Sequence, residues 1–481
     1  MNAQLIQKVS ELTQRVRDDG IEMIDLKFVD LVGRIRHVTL PVEKFDLSLF
    51  RDGVGFDGSS VGFRSVKSGD MCLIPDPMTA TIDPFWENKT LSMLCNIVEA
   101  DSREPFIGDP RSIAIRAVRH LRESGIGQEL LILPEFEFYI FDRVGFQTKA
   151  GHSYLKVQAQ EASDKSCIDG EERHNGYWIP SQTGYHQAPP FDVHRNIRTR
   201  IVRHLQSAGI NVKYHHHEVG ASGQQEIELN LAPLVTSCDN GMLLKYIVRN
   251  VVVDSGLTAT FMPKPLAGEA GSGMHLHMRL VGKKGEALFY DEKDALNMSD
   301  HAYCFIGGII EHASSLAAFT NPSINSYRRL VKGFEAPTDL YFSLGSRNSA
   351  IRIPKYATSP EQKRFELRAP DATCNLYFAC SAILMAGLDG IKRGIHAKER
   401  QWGPYNDVAL IPSKIKRSIR SMPEKLSEAL KALQKDHDYL KEGGVFNQHL
   451  IDGWINMKRE REIDPYSRQV TPIEFDFYYS C

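Results

Sequence analysis

The chain has 481 residues, of which 42% are hydrophobic, 25% charged and 9% aromatic, with a net charge of −2. That composition is ordinary for a soluble globular protein and offers no basic field for nucleic acid, so any anionic ligand must be small and held by locally placed cations. Eight scattered cysteines without a CxxC pair exclude a disulfide framework and a zinc site, and no stretch approaches the ~20 apolar residues needed to span a bilayer.

The opening "MNAQLIQKVSELTQRVRDDG" places Leu5, Ile6, Val9, Leu12 and Val16 at helical spacing. Its acidic residues and broken apolar run argue against a signal peptide, and a cytoplasmic location is expected. "IDLKFVDLVGRIRHVTL" reads as strand, turn at Gly33 and strand, and "SMLCNIVEA" (92–100) as a further strand. These make a small mixed unit. The polar, proline-containing "DSREPFIGDP" (101–110) sets a boundary, giving domains 1–108 and 109–481. Asp109-Pro110 then caps the helix "RSIAIRAVRHLRES". Residues 143–190 are polar with little periodicity and are expected to form an inserted loop region. "YCFIGGIIEHASSLAAF", "YFACSAILMAGLDGI" and "EKLSEALKALQKDHDYL" read as helices.

Between these elements lie strands that carry their chemistry on one face. In "LILPEFEFYIF" (131–141), Glu135 and Glu137 alternate with Pro134, Phe136 and Phe138. In "SGMHLHMRL" (272–280), His275 and His277 alternate with Met274, Leu276 and Met278. Arg364, Glu366 and Arg368 alternate with Phe365 and Leu367 in "KRFELRAP" (363–370). In "YHHHEVGASGQQEIELN" (214–230), His216 and Glu218 share a face, as do Glu226 and Glu228. One such strand would be a solvated face. Four with only Glu, His and Arg predict one sheet lining a charged cavity.

Glu135, Glu137, Glu218, Glu226 and Glu366 could not stay ionised together without cations. Oxygen-rich ligation with at most one imidazole suits Mg²⁺ or Mn²⁺ better than zinc or copper. Residues 321–356 add Arg329, Arg347 and Arg352, with Arg364 and Arg368 following. Arginines suit forked recognition of carboxylates and phosphates, so the set fits phosphoryl transfer between anionic partners. No GxxxxGK[ST] or GxGxxG loop is present.

"FDGSSVGF", "PEFEFYIF", "HHHEVGASGQQE", "KPLAGEAGSGMHLHM", "NSYRRLVKGFEAP", "SRNSAIRIP" and "KRFELRAPD" occur in the order found in glutamine synthetases, and the chain resembles the bacterial type I members over nearly its whole length. The resemblance implies an α+β fold, with a small N-terminal β-grasp domain and a catalytic antiparallel sheet flanked by helices. It implies a homo-oligomer, a dodecamer with active sites between subunits. It also implies ATP-dependent ligation of ammonium to glutamate, with two or three Mg²⁺ or Mn²⁺ ions per site.

By the same resemblance, Glu137, Glu218 and Glu226 would hold one ion, and Glu135, His275 and Glu366 another. Gly271, His275, Arg329 and Arg368 would face glutamate. His216 and His277 would lie beside the nucleotide without ligating metal, and Arg347, Arg352 and Arg364 would contact phosphates, Arg347 catalytically. Glu335 would sit on a closing loop, and Asp57 would reach from the neighbouring subunit to bind ammonium and help remove its proton.

The chain departs from the family pattern at Glu269-Ala270, where Asp-Asn is usual, at Arg279 in place of serine, at Gly345-Ser346 in place of Arg-Asn, and at Glu361 where a lysine is usual. The "FDGSSVGF" segment also runs one residue shorter to Asp70. Tyr405 in "GPYNDVALIP" lacks the usual context for adenylylation. These departures leave two alternatives to glutamine synthesis: a ligase joining glutamate to an organic amine or polyamine, and a catalytically silent structural or regulatory relative.

Overall fold

Two β-sheets organise the chain, and a face of the first rests on helices that cover the second. The computed structural model describes residues 3–64, 68–162, 177–333, 336–407 and 411–481. The first sheet contains β1 (Met23–Val29), β2 (Ile35–Pro41), β3 (Val54–Asp57), β4 (Asp70–Pro75), β5 (Thr81–Asp83) and β6 (Thr90–Glu99). Its order is β2-β1-β6-β4-β3, with β5 also on β6. Only β1 and β6 run parallel.

The alternation in β1 sorts its side chains between two neighbours. Ile24, Leu26 and Phe28 enter the core of the first unit, which the helix Ala3–Asp18 covers with Val9, Leu12 and Val16. Asp25 and Lys27 face the other way and are equally buried. The Lys27 ammonium is satisfied by Asp25 at 2.6 Å, Asp83 at 2.7 Å and Ser92 at 2.6 Å. Tyr246, from the helix Leu234–Asp254 of the larger unit, donates to Asp83 at 2.9 Å. A second tie is Arg111, which reaches Asp76 and Asn96 of the first unit and Asp239 of the larger one, at 2.8 to 2.9 Å.

The second sheet is built from β7 (Glu129–Phe141), β10 (Val212–His217), β11 (Gln224–Leu229), β12 (Ala232–Pro233), β13 (Thr258–Thr260), β14 (Met274–Val281), β15 (Asp339–Leu344), β16 (Ser349–Ile353) and β17 (Phe365–Leu367). The order is β10-β11-β7-β14-β17-β16-β15, with β12 and β13 on the ends of β7. All pairs are antiparallel except β15 with β16. The apolar face, including Phe136, Phe138, Met274, Leu276 and Ile227, packs into one core with the covering helices. Helix Leu234–Asp254 comes so near that a Cβ on Gly241 would lie 2.9 Å from the Phe136 ring and 2.4 Å from Leu376. Only glycine allows that approach.

The helix expected after the boundary forms as Pro110–Glu123, with the Asp109 carboxylate accepting from the Ser112 amide at 3.1 Å. Three expectations need correction. The expected loop region at 143–190 contains a hairpin, β8 (Arg143–Lys149) and β9 (His152–Gln158), whose exposed strands carry no buried stripe to reveal them. The last expected helix is shorter, Leu426–Lys435 followed by a separate turn Asp438–Lys441.

The segment read as one helix over 303–319 is two, Asp300–Glu311 and Ala313–Thr320, bent by 77° at His312. The cause is tertiary. His312 donates from Nε2 to Asp389 at 2.8 Å and from Nδ1 to Asp436 at 2.9 Å, and stacks on Tyr439 with centroids 3.9 Å apart. Two carboxylates on the two ring nitrogens require an imidazolium. Burial opposes the charge, but Asp389 and Asp436 override it and lift the His312 pKa to about 9. A raised pKa stabilises the fold fully below the ordinary histidine value of 6.5 and loses that contribution as pH climbs through about 9. Denaturant titrations at pH 6, 7.5 and 9.5 should therefore show a loss of about 2 kcal/mol that His312→Gln does not share.

Candidate active site

The register of the second sheet gathers the polar positions into one row. Glu226 lies opposite Glu137, and Glu228 opposite Glu135. His216 faces Glu226, and His275 faces Glu135. Further along, His277 and Arg352 flank Glu366 from the two strands beside it. Because each strand alternates with period two, its polar residues emerge on the face opposite the apolar core.

This face floors a cavity of about 780 Å³. All six expected metal ligands line it, together with His216, Gly271, Arg329, Arg347, Arg352 and Arg368. Among the described residues three clusters are tight enough to share a cation: Glu135 with His277 and Glu366, His216 with Glu218 and Glu226, and Glu135 with Glu226 and Glu228. Both nucleotide-side histidines, His216 and His277, stand among the carboxylates of these clusters. His275 lies between Glu135 and Glu137, with Nδ1 3.0 Å from the first and Nε2 3.6 Å from the second. Glu137 also accepts from the Gly273 amide at 2.8 Å.

The protonation of these groups follows their neighbours. Burial, then the charges of Glu226 and Glu137, hold Glu218 well above the usual carboxylate range. Burial, then Glu135, Glu137 and Glu228, do the same to Glu226. Burial would also raise Glu366, but Arg368 overrides it and brings the group to about 2. Arg352 and Arg368 reach its two oxygens at 2.6 and 2.5 Å. Against similar opposition from burial, His277 and His275 pull Glu135 well down. Carboxylates that resist ionising beside one another keep protons unless a cation offsets their charge, and their oxygens suit a hard divalent one. The donor set therefore fits Mg²⁺ or Mn²⁺.

Beside the carboxylates stands Arg329, buried and bonded to the carbonyls of Ala369 at 2.8 Å and Arg368 at 3.0 Å. Burial depresses its pKa, and its guanidinium is set to receive a carboxylate. Gly271 closes the same corner, where an added Cβ would come 2.7 Å from the Arg329 side chain.

Other expected residues are placed differently. His277 is fully buried behind the cavity wall, 2.7 Å from Glu135. Arg364 lies off the wall with its guanidinium over the Tyr356 ring at 5.5 Å, and Tyr356 itself lines the cavity. Asp57 is outside this cavity, exposed at the end of β3, accepting from Ser60 at 2.7 Å and the Ser59 amide at 2.9 Å. Bonds from Ser59 and Ser60 hold its carboxyl below the usual range. Glu335 falls outside the described residues.

Sequence reasoning missed Tyr185, Gln182, Lys213 and Gln224 on the wall. Gln224 was legible, two residues before Glu226 on the same face, and it donates to the Gly271 carbonyl at 3.1 Å. Tyr185 sits in an irregular segment and stacks on His186, 4.1 Å between centroids, so no periodicity could announce it. The departing positions Arg279 and Glu361 touch each other, the Arg279 guanidinium donating to the Glu361 carbonyl.

The description "Glutamine synthetase, catalytic domain" matches residues 107–478, and "Glutamine synthetase, beta-Grasp domain" matches residues 20–100. The chain is 42% identical to the glutamine synthetase of Mycolicibacterium smegmatis, covering 98% of each chain. It is 43% identical to that of Mycobacterium tuberculosis, over 96% of this chain and 97% of the other. Among solved structures, the Plasmodium falciparum glutamine synthetase superposes with a TM-score of 0.89 at 28% identity, covering 98% of both chains. A GmaS/ADP complex superposes at 0.79 with 26% identity, over 97% and 99%.

The raised pKa of Glu226 predicts that the cation-free protein loses stability as pH rises above about 4.3, where the unfolded chain ionises this group freely. Glu226→Gln should flatten that loss, so its melting temperature in chelator should exceed the parent's more at pH 8 than at pH 5. The same variant should lose most of the stabilisation that Mn²⁺ gives the parent, read by thermal denaturation with and without metal.

Proposed function

The chain belongs to the glutamine synthetase family, and we propose that it joins ammonia to the γ-carboxylate of glutamate at the expense of ATP, giving glutamine, ADP and phosphate. The observation that carries this reading is the row of carboxylates and arginines on a single sheet face, in a chain matched end to end by that family. Glu137, Glu218 and Glu226 would hold one divalent ion, and Glu135, His275 and Glu366 a second, Mg²⁺ or Mn²⁺. When bound, such ions neutralise phosphate oxygens and make the terminal phosphorus a better electrophile.

The protein's residues do the rest by position and charge. Arg329 and Arg368 hold glutamate, with Gly271 and Gln224 closing its amino end. A carboxylate is a poor electrophile, so its γ-oxygen first attacks the terminal phosphorus of ATP and ADP leaves. Arg347 and Arg352, both on the cavity wall, spread the charge that develops on the transferred group. Arg352 pairs with Glu366, and it would be released to contact phosphate if Glu366 held a cation. Ammonia then attacks the acyl carbon and phosphate departs. Tyr185 and the closing segment with Glu335 shield the acyl phosphate from water.

Ammonium must lose a proton before it can attack, and we assign that to Asp57 of a neighbouring subunit together with Glu335. Two features support this. Asp57 is exposed, ionised and outside its own chain's cavity. Residues 473–479 also present Ile473, Phe475, Phe477, Tyr478 and Tyr479 to solvent, an apolar surface that a second copy would cover. We place the domain boundary at residues 108 and 109 and the assembly as a closed dodecamer.

Incubation with glutamate, ATP and Mg²⁺, with ammonium or a panel of amines, should give glutamine from ammonium by mass spectrometry. γ-Glutamyl amides formed in preference to glutamine would replace this reading with an amine ligase. Asp57→Asn and Arg329→Ala should each lose nearly all activity. Their co-expression should restore roughly one quarter of it if Asp57 acts across a subunit boundary, because half the sites take each intact residue at random.

A further inference from the structure

A second cavity, about 870 Å³ in volume, opens between the first sheet's unit and the larger one. It shares no wall residue with the catalytic cavity. Lys245 and Arg249 project into it from one face of the helix Leu234–Asp254, a turn apart, and Arg34 joins them from the β1–β2 connection. Lys245 is 5% exposed, yet its ammonium has a single hydrogen bond, to the Ala372 carbonyl at 2.7 Å, and no carboxylate partner among the described residues. The side chains of Arg249 and Arg34 have neither a hydrogen bond nor an ion pair there. Lys245 and Arg249 both lie against the Phe261 ring, at 6.0 and 5.3 Å from its centroid.

Like charges four residues apart on a helix repel, and a buried ammonium keeps its full solvation cost unless acceptors replace water. Here the wall's carboxylates are mostly committed elsewhere. Asp30 pairs with Arg36 at 3.0 Å and Glu462 with Lys458 at 2.5 Å. Among the described wall residues Glu460 is the one carboxylate left to offset the three cations and Arg461, with Asp371 near Lys245 behind the wall. We propose that this cavity binds a small dianion, a phosphate or a dicarboxylate, with its oxygens on the free donors of Lys245, Arg249 and Arg34. Burial holds Lys245 down at about 8 despite the charge of Asp371, and burial, then the charge of Arg34, depress Arg249, both consistent with cations that have no direct ion-pair partner.

The site is also placed to be felt. Lys245 holds the Ala372 carbonyl, and the carbonyls of Arg368 and Ala369, four and three residues earlier, hold Arg329 in the catalytic cavity. A dianion on Lys245 thus meets the same segment that positions Arg329.

Calorimetric titration of the full chain, with ADP, Mg²⁺ and glutamate saturating the catalytic cavity, tests the proposal using inorganic phosphate in one arm and glutarate in the other. The expected result is single-site binding of at least one probe, weakened about tenfold or more in both Arg249→Gln and Arg34→Gln and abolished in Lys245→Met, while Arg249→Gln keeps the parent's basal rate. Arg249 and Arg34 reach the open side of the cavity, so those two variants decide the matter even if Lys245→Met does not fold. Absence of binding by either probe, or binding unchanged in both arginine variants, overturns it.

Discussion

Mutual repulsion among carboxylates sets the terms for the rest of this protein. Glu137, Glu218 and Glu226 converge on one sheet face with little solvent around them, and the fold brings them together although burial and neighbouring carboxylates raise the cost of ionising Glu218 and Glu226. Such a cluster is tolerable because the opposite face of the same strands is embedded in a large apolar core, which fixes β7, β11 and β14 in register. The sheet holds the row in register, and its oxygens suit divalent cations that would offset the repulsion.

The two halves of the row are not equivalent. Glu366 carries two guanidiniums and stays ionised, whereas Glu218 and Glu226 have only His216 nearby. The protein thus supplies its own counter-charge on the arginine side and leaves the other side short of it. That asymmetry gives a cation a preferred end and leaves the arginines able to exchange a carboxylate for a phosphate as ligands bind.

The first sheet's unit is joined to the larger one by buried polar contacts and by Val29, Leu31, Ile35 and Phe85, which pack against the larger core. Lys27 and Arg111 are each buried and each satisfied by several partners, so the junction is specific in orientation. Orientation matters because this unit displays Asp57, a residue that its own cavity does not use. The cleft left beside the junction is where Lys245, Arg249 and Arg34 have no ion-pair partner among the described residues.

Period-two alternation made the strands, their polar faces and nearly all of the cavity's carboxylates legible in the amino-acid order, since side-chain direction in a strand depends only on parity. The family motifs carried the remaining roles as far as Arg329 and Gly271. Other features could not be read along the chain, because they come from contacts between distant residues. The bend at His312 depends on Asp389 and Asp436, 77 and 124 positions away. The withdrawal of His277 behind Glu135 depends on packing across β14 and β7, and the contact of Arg279 with Glu361 on a turn folding back beside β14. Local sequence determined which residues could do chemistry and on which face they stand. Only the tertiary structure decided which of them meet, because the partners that set charge, burial and direction are brought near by the fold and not by the chain.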